Sequence, residues 1–269
     1  MKKMRFAVWF AALLTMVTFS SCLDSEDGGQ RQGSEIVKVT GMMGMYSFQS
    51  AGGYELVPSN MSQITMDINT EFALVVYSYD SGQVTDQTKR IPVELLSILP
   101  IERHYINDTL EGMKEYGNAP IRAISAGGSM EFFPISFWNP TTMFLPINYF
   151  VKDSANKDEI LKEVNSHSFE IFSDVNDTEA MDGQMILHVR HRVVDPSLNK
   201  ERRYKYNTNI YHVDLSQSVY EFESMNGKKP ETIIVKYEES TVGDYDPSYM
   251  TEGRAEINYR QIIELAPKK

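Results

Sequence analysis

The chain has 269 residues, with 26 Lys and Arg against 37 Asp and Glu and a formal net charge of −11. Setting aside Lys2, Lys3 and Arg5 of an expected leader leaves 23 basic against 37 acidic residues, a balance that nucleic-acid phosphates and anionic lipid would repel. Cys22 is the single cysteine, so stability must come from packed apolar cores rather than internal disulfides.

The chain begins with a basic n-region (Lys2, Lys3, Arg5), an apolar run over residues 6–19, and small residues leading through Ser20 and Ser21 to Cys22. This order predicts a secretory signal, residues 1–21, ending in a lipoprotein box with Cys22 as the acyl (palmitate-type) acceptor. The run falls short of the roughly 18 residues of a membrane span, so it reads as an address and not as a permanent anchor. Asp24, Glu26 and Asp27 follow, and with the polar tract behind them residues 22–35 predict a flexible tether. The acid cluster after the cysteine resembles the surface-export signal of lipoproteins in one group of Gram-negative anaerobes. That resemblance implies an outer-membrane lipoprotein displayed at the cell surface, with the periplasmic face as the alternative.

The remaining residues, about 235 in number, hold one large or two modest domains and are β-rich. Short strands are predicted over 36–40, 46–49, 54–57, 72–79 and 90–99, with Gly52 and Gly53 at a hairpin and Pro92 marking an edge or a bulge. Residues 72–79 are apolar at both parities, as for a strand covered on two faces. These strands fit a small closed barrel of the oligonucleotide/oligosaccharide-binding (OB) type over 36–100, and two open sheets fit nearly as well. A charged, glycine-containing stretch over 101–118 predicts a linker.

The second domain, 119–269, is expected to be an antiparallel β-sandwich with one short helix. Strands are predicted over 121–125, 130–138, 142–151, 169–172, 185–194, 204–215, 219–222, 232–237 and 257–265. The helix covers 154–165, with Asn156 and Glu159 as a cap pair and Ile160, Leu161 and Val164 on one face. A parity switch within 204–215 suggests a bulge near Asn209 or Ile210, and Asn226-Gly227 suggests a turn between strands.

The lipoprotein box, the small β domain with its 52–57 hairpin and 72–79 strand, and the larger β domain together resemble the NigD-like family. The local match is strongest at Ile186-Leu187-His188-Val189-Arg190-His191-Arg192, followed by 203–215 and 232–237. The resemblance implies an N-terminal OB-type domain and a C-terminal β-sandwich. It also implies a kinship with a founding member associated with a bacteriocin gene cluster as a proposed immunity protein. The family has no agreed catalytic residues, so it assigns none here.

Motifs that carry chemistry are scarce. There is no His-Glu-x-x-His zinc helix, phosphate loop or dinucleotide fingerprint, and Gly41 to Gly44 reads as a turn. The stretch 127–131 departs from a nucleophile elbow at Glu131. The acidic loop beginning at Asp174 departs from a calcium loop at Glu179 and Met185, so neither metal nor cofactor is expected. His188 and His191, three apart on a strand, point to opposite faces, which argues against joint metal ligation. His191 then falls on the apolar face as a core histidine. His188, Arg190 and Arg192 share the other face, either as an anion-binding patch or as a charged face paired with acids. Phe133 and Trp138 belong to an aromatic strand and would mark a binding surface if exposed.

The resulting expectation is a surface-anchored, non-catalytic binding lipoprotein with an immunity-like role and an unknown protein or glycan partner. The alternative is an accessory glycan- or peptide-capture lipoprotein of an uptake system. A hydrolase has no positioned nucleophile or acid/base pair to recommend it.

Overall fold

The computed structural model describes residues 29–42, 45–61, 68–85, 87–107, 113–127, 132–174, 181–194, 203–243 and 245–266. The signal, Cys22, the acid cluster and most of the stretches 127–131 and 174–179 lie outside the described residues. Contacts divide the chain into two units at Glu102 and Arg103.

The first unit contains β1 (Gln30–Met42), β2 (Met45–Ser50), β3 (Glu55–Pro58), β4 (Phe72–Asp80) and all but the last two residues of β5 (Arg90–His104). They run in the order β3-β2-β1-β4-β5, and a parallel pairing of β3 with β5 closes the barrel, which is the OB arrangement. Val37, Phe48, Leu56, Ala73, Val75, Ile91 and Val93 fill it. Pro92 sits in the closing ladder opposite Val57, and the bulge falls at Leu96, where the β4 register shifts between Val76 and Tyr77.

Two expectations change here. The tether was expected to run to Glu35, but β1 starts at Gln30 and forms an unbroken ladder with β4 from Gln30–Asp80 to Lys38–Phe72. Backbone pairing recruits this polar tract, which apolar patterning cannot reveal. The linker expected from residue 101 is likewise strand at first, because Ile101 is buried opposite Phe72 in the β4–β5 ladder.

The second unit contains β6 (Ile106–Asn107), α1 (Met113–Tyr116), β7 (Ser136–Asn139), β8 (Thr142–Val151), α2 (Lys157–Ser166), β9 (His167–Asp174), β10 (Gln184–Val193), β11 (Lys205–Asp214), α3 (Ser216–Asn226), β12 (Thr232–Glu239), β13 (Thr251–Asn258) and α4 (Tyr259–Leu265). One sheet has the order β11-β8-β7 and the other β13-β12-β10-β9-β6. Leu145, Ile147 and Val213 of the first meet Ile171, Leu187, Val189 and Val235 of the second in one core. The sandwich is mixed and not purely antiparallel. β10 and β12 are parallel, because the chain leaves for β11 and returns through α3 before β12 pairs.

Residues 219–222, expected as strand, belong to α3, and Gly227 closes that helix in the left-handed conformation (φ 69°) with its N–H on the Glu223 carbonyl. The Asn226-Gly227 signal is therefore a helix stop. Residues 259–265 turn into α4 after Asn258 caps it through the Gln261 N–H. The β8–β11 ladder runs without a shift from Lys205–Val151 to Asp214–Thr142, so there is no bulge at Asn209. Ile210 and His212 are buried on one side of β11 while Val213 is buried on the other, and this two-sided burial produces the parity switch.

Helix α2 carries the largest departure. Asn156 caps it as expected, accepting from the Asp158 N–H at 2.9 Å. Yet Ile160 (37% exposed) and Leu161 (59%) face outward, and Glu163 faces in. Of the apolar face read from the sequence, two residues are outermost and Val164 is half-buried.

Candidate functional site

Glu163 turns inward because the sandwich supplies it with donors. Its Oε1 accepts from Arg203 Nε at 2.7 Å and from the Lys152 N–H at 3.2 Å, and lies 3.3 Å from His167 Nε2. Arg203 is held just before β11 by its N–H on the Gly243 carbonyl. A Cβ on Gly243 would fall 1.5 Å from the Arg203 carbonyl oxygen, so only glycine admits this approach. The guanidinium carbon lies 4.5 Å from the centroid of Tyr245, a cation–π contact in a dry setting.

The chain of contacts continues from His167, the first residue of β9, to His191 on the inward face of β10. His167 Nδ1 lies 2.9 Å from His191 Nε2, and His191 Nδ1 lies 2.8 Å from the Pro120 carbonyl oxygen. A carbonyl only accepts, so His191 carries its proton on Nδ1 and presents Nε2 as an acceptor. His167 therefore donates from Nδ1, and its Nε2 faces the Glu163 carboxylate. Burial, then the neighbouring His167 charge, pushes the His191 pKa down to about 3, which agrees with this assignment. Phe169 stacks on His191 at 4.5 Å, and Tyr149 closes on both histidines at 4.7 and 5.6 Å. Burial pushes the Tyr149 phenol up.

The His167 and Arg203 side chains are fully buried and that of Glu163 nearly so. The cluster thus ties α2, β9, β10, the 120 segment and the residue before β11 together. Sequence reading placed His191 in the core but missed Glu163, His167, Arg203 and Tyr149. One signal was available: Glu163 and His167 stand four apart, the spacing of neighbours on a helix flank.

The barrel holds a second carboxylate cluster. Glu35 accepts from the hydroxyls of Tyr54 (2.8 Å), Tyr77 (2.7 Å) and Ser50. Burial, then the Glu35 charge, raises both phenols. A Cβ on Gly33 would come within 2.7 Å of the Tyr77 ring, so this glycine leaves the space across which Tyr77 reaches Glu35.

On the face of β10 away from this cluster, His188 is itself buried, opposite Phe172 of β9 and the equally buried Lys236 of β12, while half-buried Arg190 stands opposite Glu170. Burial pushes the Glu170 carboxyl up, opposed by the amide of Asn107 at 2.7 Å. The Arg192 guanidinium lies 5.9 Å from the Tyr116 ring. The three residues share one face of β10, as the alternation predicts, with acid, base and aromatic neighbours among them. Phe133 and Trp138 are half-buried. A more open aromatic group lies elsewhere: Tyr206, 50% exposed on β11, meets Phe132 edge-on at 5.9 Å, and the Arg122 guanidinium lies 5.5 Å from the Phe132 ring. Among the described residues no group of His, Cys, Asp and Glu has the geometry of a metal site, and no helix is long and apolar enough to cross a membrane.

The solved structures similar to this chain include a "putative lipoprotein" from Bacteroides fragilis, 23% identical, covering 85% of this chain and 98% of that one, with a TM-score of 0.68. The two share a fold. A NigD-like immunity protein from Bacteroides caccae is also among these neighbours, 15% identical over 86% of this chain and 94% of that one, with a TM-score of 0.46. No family model matches the sequence, and no curated protein does.

Proposed function

We propose that the protein is a non-catalytic binding lipoprotein, held at the outer membrane through acylated Cys22 and directed to the cell surface by Asp24, Glu26 and Asp27. Its role is immunity-like: it captures a secreted protein or peptide by its β surfaces and loops, and it needs no cofactor and no nucleic acid. The observation that carries this reading is the sealing of Glu163, His167 and His191 inside the sandwich, where the residues best suited to acid–base chemistry serve as cross-links between elements. The lipoprotein description of the Bacteroides fragilis protein and the NigD-like neighbour support the same direction.

The test uses the full chain in its own cells. The wild type is expected in the outer-membrane fraction, digestible by protease added to intact cells, and Cys22→Ala is expected to release it. Deletion of the gene is expected to raise sensitivity to a co-encoded toxin. A wild-type protein free in the culture fluid would overturn the anchor, and unchanged toxin sensitivity would overturn the immunity role.

The Tyr206–Phe132–Arg122 group favours a second reading, glycan capture, since exposed aromatic faces stack on sugar rings. Glycan-array binding that Tyr206→Ala abolishes would select it, and a silent array would remove it.

A further inference from the structure

We infer that β13 is a self-complementary edge that pairs antiparallel with β13 of a second copy, joining two sandwiches into one continuous sheet. The strand forms eight unbroken pairs with β12, from Thr232–Asn258 to Glu239–Thr251, and among the described residues no strand pairs with its other side. Edges are ordinarily blunted by short length, proline, a bulge, inward or edge charges, or a covering element. β13 is eight residues long, contains no proline, shows no register shift and turns only Gly253, Ala255 and Ile257 inward, and its edge charges are of both signs, so they repel a second copy in some registers and attract it in others.

The outward residues select the partner. Glu252, Arg254, Glu256 and Asn258 alternate along the exposed face. A two-fold axis at Ala255 places Arg254 opposite Glu256 of the second copy, twice by symmetry, and Glu252 opposite Asn258. Centring on Arg254 would oppose like charges, and centring on Gly253 would shorten the overlap. The Ala255 register also matches shape on the inward face, setting Ile257 against Gly253 of the other chain. The Gly253 Cβ position is occupied by the Tyr237 ring (2.4 Å), so Ile257 of the second copy would extend the core over that ring. Arg254 and Glu256 lie only 3.5 Å apart within one chain, at 44% and 58% side-chain exposure, a loose pair free to exchange partners. Helix α4 starts on the β12 side of the strand, where the Arg260 N–H reaches the Glu231 carbonyl before β12. The interface is isologous, as closed dimers require.

Light scattering on the full chain in detergent micelles reads the protein mass. The wild type is expected at twice the chain mass. Arg254→Glu and Glu256→Arg each set like charges against each other across the axis and are expected to weaken association about tenfold or more, giving single chains. Mixing the two variants is expected to restore the dimer mass, because the acidic edge of one then faces the basic edge of the other. A merely structural role for the intrachain pair predicts no such recovery. Should either variant fold poorly, Ala255→Cys gives an independent reading: directly opposed strand residues lie about 4.5–5.5 Å apart, within disulfide range, so oxidation is expected to link two chains through this position. A wild type of single-chain mass overturns the inference. So does a dimer indifferent to both charge substitutions, or a single wild-type chain whose edge instead binds an extended peptide.

Discussion

His167 Nδ1 stands 2.9 Å from His191 Nε2 inside the sandwich, and the Pro120 carbonyl on the far side of His191 sets the direction of that hydrogen bond. With His191 Nδ1 donating to the Pro120 carbonyl, protonating Nε2 would set two donors against each other. The pKa of His191 in the fold, about 3, lies below its ordinary 6.5, so the unfolded chain binds the extra proton first. The stability this group contributes is therefore complete above pH 6.5 and declines as the pH falls toward 3, with a slope approaching ~1.4 kcal/mol per pH unit. Urea midpoints measured across that window check the sign. His191→Leu removes this titration and leaves the Pro120 carbonyl and His167 Nδ1 without their partner, at about 1–3 kcal/mol each.

Glu163 and Leu161, two residues apart on α2, should respond in the opposite order to that expected of an acid and a leucine. Glu163→Gln removes the charge facing buried Arg203, and the expected loss is about 3–5 kcal/mol, the cost of stranding a buried cation. Leu161→Ser alters an exposed side chain and is expected to stay within about 0.5 kcal/mol. Chemical denaturation of the two variants decides which face of the helix is the inner one.

In the barrel, Gly33→Ala drives a methyl group into the Tyr77 ring and displaces its hydroxyl from Glu35. The expected loss is about 1–3 kcal/mol, from overpacking and a broken charge-assisted hydrogen bond. Tyr77→Phe, which keeps the ring and removes only the hydroxyl, is expected to cost about 1.5–3 kcal/mol. Thermal unfolding of the pair separates ring displacement from the lost bond.

Gly227→Ala forces a side chain into the left-handed conformation that ends α3, with an expected cost of about 1 kcal/mol. Asn at the same position is expected to recover part of it, since Asn tolerates that conformation better than Ala. Thermal midpoints of the two variants give the comparison.

The fold was legible where burial follows period. The alternation over β10 put His191 inside and Arg190 on the other face, whereas the doubly apolar stretch over 72–79, expected to be covered on two faces, buries its Ala73, Val75 and Tyr77 face in the core and leaves Leu74 and Val76 half-buried. It was illegible where tertiary partners overrode local pattern. Nothing in Ser216 to Asn226 distinguishes a helix from a short strand until α3 is seen to carry the chain from β11 back to β12, beside β10. Similarly, Ile160 and Leu161 mark an apolar face, but the donors that draw Glu163 inward come from Lys152, His167 and Arg203, too scattered in the chain for any local pattern to assemble.

The early start of β1 bears on reach. If Cys22 carries the lipid, eight residue steps separate it from Gln30, the first residue laddered to β4, and even fully drawn out they span no more than about 28 Å. The leash is then too short to lift the barrel far from the headgroups.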